Sequence, residues 1–421
     1  MARGLFQRAI AQSGSPIGEW AVQRRPRMYV ERLARKLQCP DTSSSHTILD
    51  CLRSQDVQTI VDKSEDASLE DSLMLQFAPS VDGRFLPDHP TALLQREGAL
   101  GPGPPPQTLV GVTRDELEVW MTKSYQDKDP STIKFTRELL RRYLLHLVRR
   151  ELASGAAADV LLHAVYTEYV YRHAPQRRRQ QNGTEPRRED GAALPDIRTL
   201  GKIISDIDLK APSVRLVELL TLHPGTSVYL YEFDYASSDD VIAAKYVGAN
   251  NLFVAGSYHE SELYYLFGFP HFGLENALRL PQDKQVSDTM IRLWTNFART
   301  GEPTPAESNR STGFWWRPYT QDDDCFASLG LEPFVARSYE SERMTFWNHF
   351  VPLFTEYPVN LSANRSAPHH LFAGLSCDRT VVLALLALLV VCSLLLCCSA
   401  TAIVCCCRKK RTVLEEIPVP V

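Results

Sequence analysis

The chain has 421 residues, with 46 basic and 50 acidic side chains and a net charge of −4. That balance gives no electrostatic footprint for a nucleic-acid partner, and the length exceeds one small domain and allows a large core. There is no phosphate-cradling glycine loop and no zinc-type Cys/His spacing, so neither a cofactor nor a metal is expected.

In chain order, "GLFQRAIAQSGSP" (Gly4–Pro16) reads as mid-domain sequence, with a strand at Arg8–Gln12 followed by a Ser-Gly turn. Met1–Gly14 carries no apolar h-region, so the expectation is either late membrane insertion or an N-terminus that lies upstream of Met1. Cys39 and Cys51 flank "PDTSSSHTILD"; in an oxidising compartment a bridge across that loop is worth roughly 3 kcal/mol, the alternative being two unrelated thiols. "GPGPPPQ" (Gly101–Gln107) is a stiff surface loop. "TLVGVTRDE" (Thr108–Glu116) and "TSVYLYEFDY" (Thr226–Tyr235) have the apolar, β-branched and aromatic composition of buried strands. Helical periodicity lies between them, as at Phe135–Leu152. Strands separated by helices predict an α/β fold, a mostly parallel sheet with helices on its faces.

"APQRRRQQNGTEPRREDGAALPD" (Ala174–Asp196) is a solvated insertion, either a wet loop or a site for an acidic partner. Trp347, Phe350, Val351 and Phe354 follow an i, i+3, i+4, i+7 spacing, one apolar stripe that pairs with a second copy or packs on its own sheet. Residues 356–380 read as a stalk. Val381–Val404 is uncharged throughout, and at ~1.5 Å per residue such a helix crosses a ~30 Å hydrocarbon core; the alternative is a buried core helix. "RKKR" (Arg408–Arg411) follows, which places the 405–421 tail in the cytoplasm and residues 1–355 outside, a single-pass type I plasma-membrane topology. Four sequons agree with an extracellular domain: Asn182, Asn309, Asn360 and Asn364. Cys405, Cys406 and Cys407 abut the basic cluster, where thiols are S-palmitoylated or simply finish the span.

Several of these stretches resemble the cholinesterase/carboxylesterase type-B branch of the α/β-hydrolases. They are "GLFQRAIAQSGSP", "FAPSVDGRFLPDHP" (Phe77–Pro90), "GVTRDE", "HESELYYLFG" (His259–Gly268), "WTNFARTGEP" (Trp294–Pro303) and "FWNHFVP" (Phe346–Pro352), in the family's order, and the Cys39–Cys51 loop matches too. The resemblance implies that residues 1–355 are the C-terminal part of an α/β-hydrolase domain, with Glu116 at the triad acid position and His259 at the general-base position. The plainer readings are a solvated loop acid and a polar rim histidine. No G-x-S-x-G nucleophile turn occurs in the sequence; by register it falls before Met1, and Ser13 and Ser15 are not substitutes for it.

Three features depart from the enzymes. Leu117 and Glu260 stand where the family has small residues, and the cysteines of a second family disulfide are replaced by Ala211 and Met344. "LPDHPTALLQREG", "KAPSV" and "LGLEPFVARSYESERMTFWNHFVPLF" resemble the neuroligin branch, which is non-catalytic. That resemblance implies a homodimer through the Trp347–Phe354 helix, adhesion, and a neurexin-like extracellular protein partner. The terminal "PVPV" is a weak PDZ-ligand candidate. A membrane-anchored carboxylesterase is the alternative.

Overall fold

The computed structural model describes residues 5–18, 20–66, 77–96, 98, 100, 105–117, 155–172, 197–238, 256–268, 278, 280–306 and 314–355. The chain divides into a unit at 1–359 and a second at 360–421, and every described residue lies in the first. The insertion at 174–196, the predicted helix at 135–152, the stalk, the 381–404 span, Asn182, Asn309, Asn360, Asn364 and Cys405–Cys407 all lie outside the described residues. Among those described, no helix is long and apolar enough to cross a membrane.

Among the described residues, five strands form one sheet in the order β1 (Arg8–Gln12), β2 (Gln107–Thr113), β3 (Val228–Phe233), β4 (Cys325–Leu329) and β5 (Phe334–Arg337). The first four are parallel, with Ile10 opposite Leu109 and Leu109 opposite Tyr229; β5 returns antiparallel to β4. The sheet is therefore mixed, parallel except at its last strand. β2 and β3 are buried on both faces, which is why they read as continuous apolar runs rather than alternating ones.

Their side chains divide by the two-residue period of a strand. Val110, Val112, Val228 and Leu230 face helices α5 (Gly155–Tyr166), α6 (Ile197–Ser205) and α7 (Ala211–Thr221), with Tyr339, Met344 and Trp347. Leu109, Tyr229, Tyr231 and Phe233 face α8 (Ser261–Phe267) and α9 (Pro281–Thr300), with Trp316 filling the layer. This second layer is aromatic, and its rings meet edge to face: Tyr231 with Trp294 at 5.1 Å and Tyr229 with Trp316 at 5.8 Å.

Near the N-terminus, α1 (Pro26–Lys36) and α2 (Ser45–Ser54) form a small satellite. Ser44 caps α2 through its side chain, and Cys39 and Cys51 are joined in a disulfide beside Ala34 and Ile48. Cys325 is a free, buried thiol. Ala211 and Met344 are both buried in the first layer, so apolar packing occupies the place where the family's second bridge is expected.

The carboxyl-terminal segment runs from Ser341 through a wide π turn at Phe346–Phe350, closed by the Val351 amide on the Phe346 carbonyl at 2.9 Å, to Thr355. The π turn rotates the predicted stripe out of line. Trp347 points into its own subunit and donates to the Tyr169 hydroxyl at 2.6 Å, while Phe350 is 39% exposed and Leu353 is 47% exposed. Val351 is half-buried, and the side chain of Phe354 lies outside the described residues.

One glycine in the sheet is obligatory for steric reasons. A Cβ on Gly111 would sit 2.0 Å from the ring of Tyr231. That ring is fully buried among Trp294 and Trp316 and has nowhere to go. Gly111→Ala is expected to lower stability by at least about 2 kcal/mol, measured as a drop in the thermal midpoint of the full chain; an unchanged midpoint would contradict this packing.

Candidate functional site

The carboxyl ends of β1, β2 and β3 are where a parallel sheet presents its functional side chains. β2 ends at Thr113, and the chain turns at once so that Glu116 folds back under its own strand. The Glu116 side chain is fully buried and accepts three hydrogen bonds. The Thr113 amide donates to Oε1 at 2.7 Å, the Ser13 hydroxyl donates to the same oxygen at 2.6 Å, and Nδ1 of His259 lies 2.6 Å from Oε2.

The backbone fixes His259 as firmly as its side chain does. Its amide donates to the Glu116 carbonyl at 2.8 Å. Two residues earlier, Asp115 and Ser257 exchange bonds in both directions: the Asp115 amide donates to the Ser257 carbonyl at 2.8 Å, and the Ser257 amide donates to Oδ2 of Asp115 at 3.0 Å. Gly256 makes that approach possible, because a Cβ there would meet Oδ2 at 2.7 Å. Residues 115–116 and 257–259 thus form a short two-sided clasp.

Three carboxylates surround the imidazole. Burial pulls the His259 pKa down, but the hydrogen bond and charge of Glu116, helped by Glu260 and Glu262, outweigh it and leave the value above the ordinary 6.5. Glu260 sits at φ +69°, a left-handed conformation that only glycine adopts without strain; it is exposed beside the histidine. Leu117 is half-buried and packs against the first core layer.

Glu262 lies on the first turn of α8 with its side chain buried. Gln12 donates from Nε2 to Glu262 Oε1 at 3.1 Å, and Trp294 donates to the side-chain Oε1 of Gln12 at 3.1 Å. Glu262 Oε2 has no hydrogen-bond partner among the described residues. Burial first, and the charge of Glu116 second, push its pKa up to about 7.

Neither Ser13 nor Glu262 was singled out by sequence as part of this site. Ser13 looked like a turn residue, and its positive φ of 49° gave no sign in the sequence. Glu262 had a signal: an acid at the start of the apolar run "SELYYLF", on the same helical face as Tyr265, must point toward the core. The structure brings Glu116 and His259 together and keeps Ser15 apart from them, with its hydroxyl on the Pro212 carbonyl at 2.9 Å. Among the described residues no cluster of His, Cys, Asp and Glu is arranged to hold a metal.

Chemically, a buried carboxylate on Nδ1 selects one imidazole tautomer and stabilises the imidazolium. The buried acid also has a consequence for stability. Glu262 has an ordinary value of 4.5 when exposed and about 7 when folded, so the folded state holds its proton more tightly. The associated stability is complete below pH 4.5 and is lost as pH rises to about 7. The loss amounts to about 3 kcal/mol. Glu262→Gln keeps the acceptor for Gln12 and removes the titration. Its thermal midpoint is expected to match wild type at pH 4.5 and exceed it at pH 8; parallel pH profiles for the two proteins would refute the assignment.

Comparison with known proteins agrees with this architecture. A model of the carboxylesterase family matches residues 1–347. Acetylcholinesterase from Bungarus fasciatus is 30% identical over 358 residues, covering 83% of this chain and 52% of that protein. Neuroligin-2 from Rattus norvegicus and from Mus musculus are each 26% identical over 370 residues, covering 83% of this chain and 39% of theirs. The chain thus spans about half, or less, of the length of the curated relatives it matches. On this match, the chain belongs to the carboxylesterase family.

Proposed function

We propose that the chain is the cholinesterase-like part of a non-catalytic, single-pass cell-surface adhesion protein, in which the Glu116–His259 pair serves as framework. The observation that supports this reading is the crowding of His259 by acidic side chains, where Glu260 and Glu262 join Glu116 in raising its pKa. Ser13 gives its proton to the Glu116 oxygen that does not face His259, and Ser15 gives its proton to a backbone carbonyl. Among the described residues, nothing hydrogen-bonds Nε2 of His259, the nitrogen that a nucleophile needs. The surrounding carboxylates raise the pKa of the imidazole, Glu116 most of all.

In this reading residues 356–380 form the stalk, 381–404 the span and 405–421 a cytoplasmic tail, with glycans at Asn182, Asn309, Asn360 and Asn364 and acyl chains on Cys405–Cys407. The extracellular partner is a protein of the neurexin type. The uncharged run, the basic cluster after it and the sequons support the topology, and the resemblance to neuroligin-2 supports the class of partner. A second reading is a membrane-anchored carboxylesterase, and the 2.6 Å contact of a buried acid with His259 favours it, since a general base needs that orientation.

A fluorophosphonate probe, applied to cells displaying the full chain, separates the two. No labelling is expected. Labelling that disappears in His259→Ala would establish the esterase reading instead. In the same cells, adhesion to neurexin-type ectodomains is expected and should survive His259→Ala.

The proposed homodimer uses the outward face of the carboxyl-terminal segment, Phe350 and Leu353, since Trp347 is turned inward. Phe350→Asp with Leu353→Asp is expected to give folded monomer by light scattering. A dimer that persists in the double mutant places the interface elsewhere.

A further inference from the structure

Lysine is among the residues least often fully buried, yet Lys210 is 2% exposed. It closes a π turn at Asp206–Lys210 that links α6 to α7. Its ammonium group donates to the main-chain carbonyl of Arg114 at 2.5 Å. At the other end of the same turn, Ser205 accepts a hydrogen bond from the Leu117 amide at 2.9 Å and passes its own proton to the Gly201 carbonyl at 2.7 Å. These two contacts bracket residues 115 and 116, the pair that clasps Ser257 and His259.

The turn is itself immobilised. Asp206 accepts from Arg343 at 2.6 Å and from the Tyr169 hydroxyl at 2.5 Å, and Trp20 donates to the Asp208 carbonyl at 2.8 Å. Glu232 on β3 lies within electrostatic reach of Lys210 and accepts from Tyr339 at 3.0 Å. A charge-assisted bond from a rigid turn to a single carbonyl is a strong way to set the direction of a short loop.

We infer that Lys210 and Ser205 are positioning residues for the Glu116–His259 pair, holding the Arg114–Leu117 turn so that its carboxylate and carbonyl meet the imidazole and amide of His259. The inference holds whether the pair is structural or catalytic, so it does not depend on the function proposed above.

The test reads the titration of His259 by NMR in the full chain, labelled at histidine Cε1 and assigned by loss of the signal in His259→Gln. The groups facing this imidazole are Glu116, Glu260 and Glu262. In Lys210→Met the His259 midpoint is expected to fall by at least about half a pH unit toward its ordinary value, because contact with Glu116 loosens. Removing a positive charge would by itself raise the midpoint, so the two effects differ in sign. Lys210→Arg keeps the charge and the donor and should retain the wild-type midpoint. Ser205→Ala changes no charge and should also lower the midpoint. Val217→Ala, in the first core layer, should reduce thermal stability and leave the midpoint alone. An unchanged or raised midpoint in both Lys210→Met and Ser205→Ala overturns the inference; if Lys210→Met does not fold, Ser205→Ala decides it alone.

Discussion

The site hangs on one buried carboxylate. Glu116 is fully buried, and a buried carboxyl group is tolerated only when its oxygens are satisfied. Three donors reach it from three parts of the chain: Ser13 after β1, Thr113 at the end of β2 and His259 before α8. Each donor lies at the same end of a parallel sheet, which is the geometric reason that residues more than a hundred positions apart meet within hydrogen-bonding distance. Losing any one of them leaves the charge underpaired, and the cost of an unpaired buried charge exceeds the worth of the bond that was lost.

A second buried network lies on the opposite layer and replaces a covalent device with polar ones. Arg343 pairs with Asp206 with both side chains excluded from solvent, Glu340 pairs with the same arginine, and Trp347 reaches Tyr169. A buried pair of this kind adds little net stability over an apolar pair, but breaking one costs about 3–5 kcal/mol, so it specifies where the carboxyl-terminal segment must lie. Asn348 adds a bond to the Ala211 carbonyl at 2.9 Å. The segment is therefore registered on α7 at Ala211 and held beside Met344, where a disulfide is expected from the family pattern, by charge and shape rather than by sulfur.

The strands were legible because β2 and β3 are buried on both faces, so their apolar runs carry an unambiguous composition. Glu116 was legible as a site residue because an acid directly after such a run stands at the sheet's carboxyl edge, and the family pattern supplied its partner. Ser13 was not, because its role depends on a left-handed backbone angle and on a partner 103 residues away. Lys210 was hidden for a related reason: a lysine in a helical stretch reads as solvated, and only the π turn, invisible to a 3.6-residue periodicity, rolls it inward. The same kind of turn at Phe346–Phe350 explains why the stripe drawn from i, i+3, i+4 and i+7 mixes an inward Trp347 with an outward Phe350.

The acids around His259 then constrain what the pair can do. One carboxylate on Nδ1 orients an imidazole and leaves it free to take and return a proton. Here Glu260 and Glu262 add to Glu116, and each favours the charged ring. Burial, and the charge of Glu116 behind it, push the Glu262 pKa up to about 7, so its support for the charged ring fades as it takes up a proton. Glu260 contributes less than Glu116 does, and an uncharged residue in its place would leave the histidine pKa less raised.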